Sequence, residues 1–586
     1  MARLKSSVVL TSLIFKTRRV IALASGMALL VTVLATAIVA QNRKDYSLVS
    51  RDGGHVALGL ALRKLNVSGT FMQSAAHPDD EHNQLFVQYT RIRGLRSIDL
   101  QTNRGEGGQN EIGPELFRDI GVLRTSELLA AHRLDGAEQY FTRAIDYGYS
   151  FDPQEVIDKW GRTEIVGDFV RMIRTFRPDV FLTMNIQGRG GDRAHEATTI
   201  LAREAYEEAG DASKYPEQLR QGLRPWKPRK FYFTGGFGVV PAAGRGAAPE
   251  APAPEQNLTI PDTAMYDPLL GRTCAEIGAD ARGNHKCQGT TGLPALPGFA
   301  GGRGGRGGGP GGYKLMDTSI PGEMGKHETD LFDGIDTRLV AVAQYAGANA
   351  PQGLTAGLAA LADDAQQAQA AFAAGNEAGT AAPVEAGLTA VRSLRAQLGS
   401  LGLSDSARYE IDFRLKIKER DYEDAVLLAH GLTFDAVADD GLVIAGQPVK
   451  LSILAVNRGP ADVNISSVAI EGFDTSSNCA PGSPKKDAVY TCTAEVHVPG
   501  NAKLTTPYFS DNYWKHPENP AINIFEPGVE FGVPFAPTPF RAVFHVKAGT
   551  VEVVKDVPVE FRYIKDVYFG DKRMELSVVP AFSVRI

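Results

Sequence analysis

Between about residue 55 and residue 235 the chain alternates short apolar runs with segments of helical period, and this pattern limits the fold more than any other feature. Thr70–Ala76 reads as a buried strand, and Arg96–Thr102, Gln139–Arg143, Pro178–Met184 and Lys230–Thr234 as further strands. Between them Glu81–Arg93, Pro114–Leu134, Glu164–Thr175 and Ala194–Ala209 read as helices, the last ending at Gly210. Strands separated by helices require crossover connections, which give βαβ units and a mostly parallel sheet.

The rest of the chain changes character twice. Residues 236–313 are rich in Ala, Gly and Pro and end in the run Gly301–Gly312. Such a stretch buries too little apolar surface to order itself, so it is expected to be in part a mobile loop. A more structured island, Tyr266–Gly289, lies within it. Residues 327–430 are dense in strong helix formers, which predicts two to four helices. From 432 onward short alternating runs predict a β-sandwich. They are Leu442–Ala445, Val449–Val456, Val468–Ile470, Ala488–Val498, Arg541–Val546, Val551–Val554, Val559–Tyr563 and Leu576–Ile586. Gly and Pro signals within 506–540 mark a long excursion between the sheets.

Residues 1–40 carry five cations and no acid, and Val20–Ala40 holds no charge over 21 residues. That is the pattern of an export signal, with Ala35-Thr36-Ala37 or Ala40-Gln41 as the cut. A retained anchor is the alternative, and both place the remainder outside the cytoplasm, in the periplasm or the extracellular space. A membrane then enters only through the uncleaved segment. Without residues 1–40 the chain has 57 basic against 68 acidic residues. A body so acidic is a poor partner for nucleic acid. Of four cysteines, Cys274 and Cys287 are 13 apart, as are Cys479 and Cys492, and no C-x-x-C occurs. Two local disulfides are the simplest pairing in an oxidising space.

The chemistry concentrates at two strand-to-helix junctions, where open α/β sheets gather ligands. Ala76-His77-Pro78-Asp79-Asp80-Glu81 follows the first strand. His77 and Asp80, three apart across a turn, can meet one divalent ion, with Zn²⁺ the first choice and Fe²⁺ the second. Asp79 between them can be held near a metal-bound water. The same acids also suit a plain helix start. Gly190-Gly191-Asp192-Arg193-Ala194-His195-Glu196 follows the strand Pro178–Met184, and His195 offers a third ligand or a polar helix start. No G-x-S-x-G elbow is present, which disfavours a serine hydrolase.

With these motifs the chain resembles the PIG-L/LmbE-like deacetylases, metal-dependent hydrolases of N-acetyl groups on glucosamine-containing substrates. The resemblance rests on the complete A-H-P-D-D-E at 76–81 and the loop Thr102-Asn103-Arg104-Gly105-Glu106-Gly107-Gly108. It extends to Arg124, Glu127 and Ala130–Ala137 on the next helix, and to Asp146. It covers roughly 65–235, and a longer exported subgroup extends through 266–289 and the C-terminal β region. It implies His77, Asp80 and His195 as metal ligands and Asp79 as general base in amide hydrolysis.

One position departs from the family. Its usual H-x-x-H has Asp192 in place of the first His, and an ionised Asp donates no hydrogen bond to an oxyanion. Asp192 is then an extra ligand or a partner of Arg193, or the donor comes from elsewhere, or catalysis is weak. His285, in Arg282-Gly283-Asn284-His285-Lys286-Cys287-Gln288-Gly289, is the candidate replacement, projecting into the metal cleft from a segment pinned by a Cys274–Cys287 bridge. A surface loop histidine is the alternative. Arg104 and Glu106 either touch sugar hydroxyls or form an exposed ion pair. Arg124 binds substrate or a carboxylate of the fold, and Asp146 and Asp192 complete the substrate-facing set. His55, His82, His132, His327, His430, His497, His516 and His545 show no ligand spacing. Trp160, Trp226 and Trp514 are core residues or sugar platforms.

The expected architecture is α/β: a Rossmann-like three-layer, mostly parallel sheet, followed by a helical segment and a C-terminal β-sandwich. The expected divisions are 1–40, 41–326, 327–431 and 432–586. The expected activity is removal of N-acetyl groups from an N-acetylglucosamine-type sugar or glycoconjugate. The rivals are a non-catalytic glycan-binding protein and a metal-dependent amidase or esterase acting on a non-sugar substrate.

Overall fold

The structure is a computed structural model that describes residues 52–185, 192–235, 257–289, 312–461, 463–474, 479–509, 525, 528–563 and 572–583. The expected signal at 1–40, Gly190 and Gly191, most of the insertion at 236–313, Trp514 and His516 lie outside these residues. Among the described residues no helix is long and apolar enough to cross a membrane.

The N-terminal sheet has strands β1 (Thr70–Ala75), β2 (Arg96–Gln101), β3 (Glu138–Phe141), β4 (Val180–Thr183), β5 (Lys230–Thr234) and β8 (Tyr313–Thr318). A short hairpin, β6 (Tyr266–Asp267) and β7 (Arg272–Thr273), lies apart from it. The sheet order is β3-β2-β1-β4-β5-β8, parallel throughout except for the antiparallel edge β5/β8. Strand β1 is buried at all six positions, as a central strand covered on both faces must be. The chain leaves β1 toward β2 and β3 on one side and returns to β4 and β5 on the other. The topological switch point therefore lies between the carboxyl ends of β1 and β4.

The layers are helices α1 (Gly54–Leu65), α2 (Asn83–Phe86), α3 (Arg118–Asp135), α4 (Pro153–Trp160), α5 (Arg162–Phe176), α6 (Ala194–Glu208), α7 (Pro216–Arg220) and α8 (Cys274–Arg282). Local chemistry sets their ends. Asp152 caps α4 through the Gln154 N–H, with Pro153 at the first helical position. Gly136 closes α3 in the left-handed region at φ 87°. Thr273 and Glu276 form a capping box on α8. Two predicted helices start late. Helix α3 begins at Arg118 rather than Pro114, because the Asn110 side chain accepts from the Ile112 and Gly113 N–H groups and Phe117 holds φ 54°. Helix α2 begins after the Asp79–Glu81 turn and runs on as a π-helical stretch, Val87–Ile92.

Three long helices follow: α9 (Gln352–Ala373), α10 (Ala381–Gln397) and α11 (Asp405–Ala429). Their apolar faces share one core with Leu58, Leu62 and Leu65 of α1. Behind them, β9 (Leu432–Ala438), β11 (Pro448–Asn457) and β13 (Ala488–His497) pair with β16 (Glu560–Tyr563) and β17 (Lys572–Glu575) in one sheet. The second sheet holds β12 (Val463–Glu471), β14 (Arg541–Ala548) and β15 (Val551–Pro558), and β10 (Leu442–Val443) pairs with β18 (Ser577–Val578). Inward residues such as Ile453 and Phe544 meet in a common core, so the expected sandwich is present. The last predicted strand, Leu576–Ile586, is instead the short β18.

Cys479 and Cys492 form the expected disulfide. Cys274 and Cys287 do not, and both thiols are free and buried. The nine-residue helix α8 starts at Cys274 and separates them. The Cys287 backbone is held against α3 instead, its N–H donating to Glu127 Oε1 at 2.8 Å.

Candidate active site

The site is assembled at the switch point. The turn after β1 carries His77 and Asp80, and α6 begins beside it and carries His195. His77 Nδ1 lies 3.2 Å from His195 Nε2 and 3.4 Å from Asp80 Oδ2, and the third side of this triangle, His195 Nε2 to Asp80 Oδ2, is 3.3 Å. A tetrahedral ion with bonds of about 2.0–2.1 Å separates its ligands by about 3.3 Å, so these donors fit Zn²⁺. Among the described residues this is the one group able to hold a metal ion.

The electrostatics agree. Burial works against a charged His77, but its hydrogen bond to Asp80 and the charge of Asp146 raise its pKa. Burial would raise the Asp80 carboxyl, yet His195 and His77 hold it well below the ordinary carboxylate range. A potential that draws a proton to His77 also draws a divalent cation. The backbone fixes the turn: the His77 N–H donates to Asp80 Oδ2 at 3.0 Å and the Asp80 N–H to the His77 carbonyl at 3.1 Å.

Asp79 adopts φ 108°, a conformation that side chains rarely take and that persists only where neighbours enforce it. Its N–H donates to Glu81 Oε2 at 2.8 Å, and Arg282 donates to its carbonyl and, at 3.3 Å, to its Oδ2. Arg124 is buried. It donates to the carbonyls of Pro78, Gly105 and Gly108 and lies 3.8 Å from Asp79 Oδ1. It therefore ties the Gly-rich loop to the turn after β1.

Asp146 and Asp192 face the other nitrogen of His77, with Oδ2 atoms 3.8 and 3.7 Å from Nε2. A ligating imidazole usually directs its second nitrogen toward carboxylates in this way. Asp192 also accepts from the Ala194 N–H, while Arg193 donates to Glu196. Glu106 accepts from the Arg104 and Asp146 N–H groups, and burial with the charge of Asp146 pushes its pKa up to about 7.

Two expectations need correction. Arg104 is no exposed partner of Glu106. Its guanidinium is buried, stacks at 3.9 and 3.8 Å from the ring centroids of Phe141 and Phe509, and donates to Val533 and Pro534 carbonyls of the C-terminal excursion. Burial lowers its pKa to about 10. His285 does not project into the metal cleft. It is fully buried, with Nε2 2.5 Å from Glu81 Oε1, because α8 packs against the segment that follows β1. Burial would raise the Glu81 carboxyl, but the charge and hydrogen bond of His285 hold it below its ordinary value.

Sequence reasoning gave Arg282 no role, and its one signal was its place three residues before His285. His132 is buried against Asp135, Gln139 and Asp99, His55 pairs with Glu377, and His430 pairs with Glu385. Trp160 and Trp226 donate to the Ile145 and Pro178 carbonyls, and Trp226 also packs on Arg177, so both serve the fold.

Residues 72–206 match the family described as PIG-L: GlcNAc-PI de-N-acetylase. The mycothiol S-conjugate amidase of Streptomyces coelicolor is 29% identical over 181 residues, which cover 28% of this chain and 59% of that protein. The chain thus spans 59% of that curated relative's length. Among solved structures, N,N'-diacetylchitobiose deacetylase from Pyrococcus horikoshii matches at 16% identity and a TM-score of 0.27, over 39% of this chain and 72% of that one.

Proposed function

With residues 72–206 forming a PIG-L domain, we propose that the protein is an exported, divalent-metal-dependent hydrolase that removes N-acetyl groups from an N-acetylglucosamine-type sugar or glycoconjugate. The observation that carries this reading is the 3.2–3.4 Å triangle of His77, Asp80 and His195 at the switch point. An ion held there supplies Lewis acidity and makes water a nucleophile near neutral pH. Zn²⁺ suits the two imidazoles and one carboxylate, with Fe²⁺ second.

The chain's own residues divide the remaining work. Asp79 is the general base, taking a proton from the attacking water and returning it to the leaving nitrogen. The carbon–oxygen bond forms, the carbon–nitrogen bond breaks, and acetate and a free amine leave. Arg124 fixes the backbone of the turn through the Pro78 carbonyl, and Arg282 donates to the Asp79 carboxylate. Asp146 and Asp192, at the far nitrogen of His77, steady that imidazole and accept from substrate hydroxyls. Export rests on the cationic, then uncharged, segment of residues 1–40.

A second reading, amide hydrolysis on a non-sugar substrate, is favoured by the similarity to an enzyme named as an amidase. Acetate release from chitooligosaccharides, measured before and after chelation, separates the two. Release that stops on chelation and returns with Zn²⁺ supports the sugar deacetylase. Inertness toward sugars with metal-dependent cleavage of other amides replaces it with the second reading.

A further inference from the structure

We propose that Arg282, from a segment remote in sequence, is the residue that positions Asp79 for proton transfer. The inference rests on the hydrolase reading above for its kinetic consequence. Its geometric basis is independent of that reading.

Helix α8 belongs to the island at 257–289, more than 60 residues after α6. It nevertheless lies directly on the turn that follows β1. Gly278 makes the contact: a Cβ there would lie 2.7 Å from the Gln84 backbone nitrogen, so a larger residue would push the helix off the turn. The opposite end of the island is also fixed. The Cys287 N–H donates to Glu127 Oε1 at 2.8 Å, and the Glu111 N–H donates to the Cys287 carbonyl at 2.7 Å. Arg282 therefore projects from a segment held on both sides of it, at Gly278 and at Cys287.

Every polar group of Asp79 given a partner above is held by Glu81 or an arginine. Its N–H is taken by Glu81 Oε2, whose other oxygen is held by His285. Its carbonyl and Oδ2 are both taken by Arg282. Arg124 approaches Oδ1 only to 3.8 Å, while its Nη1 and Nη2 donate to three carbonyls. Arg282 thus bridges backbone and carboxylate of one residue held at φ 108°. A planar guanidinium fork can do this, and a lysine ammonium cannot reproduce it. Without the fork the Asp79 backbone can relax, and its carboxylate turns away from the attacking water. His285 reaches Asp79 through Glu81, so it serves the same turn at one remove.

The test uses the full-length, metal-loaded protein with Arg282→Ala and Arg282→Lys. Misplacing a reacting group by about 1 Å costs on the order of 10²-fold in rate. In both variants kcat is expected to fall about that far, with KM and the bound metal unchanged. Added guanidinium is expected to restore part of the rate to Arg282→Ala, and sodium chloride of equal ionic strength to restore none. Hydrogen exchange of the 77–82 turn is expected to rise in Arg282→Ala while exchange in β2 and β4 stays constant. Wild-type kcat in either variant, metal lost in proportion to activity, or absence of guanidinium rescue overturns the proposal. If the wild type itself releases no acetate, the hydrolase reading fails. The exchange measurement then decides alone: a deprotected turn supports the positioning role and an unchanged turn overturns it.

Discussion

Two clusters of histidine and carboxylate lie in the same domain, and the contrast between them shows what makes a site. At the switch point, His77, Asp80 and His195 point three electron-pair donors at one spot, 3.2–3.4 Å apart, with side chains 10–17% exposed. Below the turn, His132 sends Nδ1 to Asp135 at 2.9 Å and Nε2 to Gln139 at 2.8 Å, with Asp99 at 3.4 Å, and both acids are fully buried. The residue types are the same. In the second cluster each imidazole nitrogen meets its own acceptor, so the imidazole is satisfied as it stands. In the first cluster the lone pairs converge on each other, which a shared cation resolves. Convergence, not composition, carries the chemistry.

The sharpest way to break this contrast is to remove one residue from each cluster. His195→Ala is expected to lose the metal and to cost about 10³-fold in turnover, several kcal/mol of transition-state stabilisation. Metal analysis beside an acetate assay checks it, and retained metal would contradict it. His132→Asn is expected to leave metal content intact and to destabilise the fold by about 3–5 kcal/mol, as breaking a buried pair does, read by urea unfolding.

The same variant has a pH signature. Burial opposes the charged His132, but Asp135 and Asp99 raise its pKa well above 6.5. A raised histidine contributes stability that is fully present below 6.5 and is lost as the pH climbs through its folded-state value. Wild-type stability should therefore decline from pH 6.5 upward, and the decline should flatten in His132→Asn. A slope identical in the two proteins would contradict this.

Away from both clusters the effects shrink. Cys479→Ser is expected to cost about 3 kcal/mol through the 13-residue separation it closes, with unchanged kcat. Unfolded, unreduced wild type should titrate two thiols, from Cys274 and Cys287. Zero thiols would contradict the structure. Asp192→His should raise kcat by less than about tenfold, the range of one added neutral donor, and a fall in kcat would show that Asp192 holds its present place for a reason of its own.

The sequence disclosed the parts of the molecule where local pattern and final environment agree. β1 and β4 read as strands because they are apolar and buried, and the motifs at 76–81 and 192–196 sit where those strands end. The convergence of His77, Asp80 and His195 followed once both junctions were placed at one switch point. Side-chain direction was not legible. Nothing near Arg104 announces that the rings of Phe141 and Phe509 enclose it, because Phe509 arrives from an excursion some 400 residues away. His285 looked like a cleft residue because Asp192 stands where the family has a histidine, and the segment at 282–289 resembles one of the longer subgroup. The packing of Gly278 on Gln84 turns it inward instead. Strand β8 was hidden beside the run Gly301–Gly312, and β9 beside the end of a long helix.

The central claim is that the three donors share one ion, and X-ray absorption at the zinc edge of the Zn²⁺-loaded protein tests it most directly. The account predicts two imidazole nitrogens and one carboxylate oxygen at about 2.0–2.1 Å, with one further light atom, and loss of one imidazole in His195→Ala. A zinc environment with no imidazole scattering, or one unchanged by His195→Ala, would contradict it.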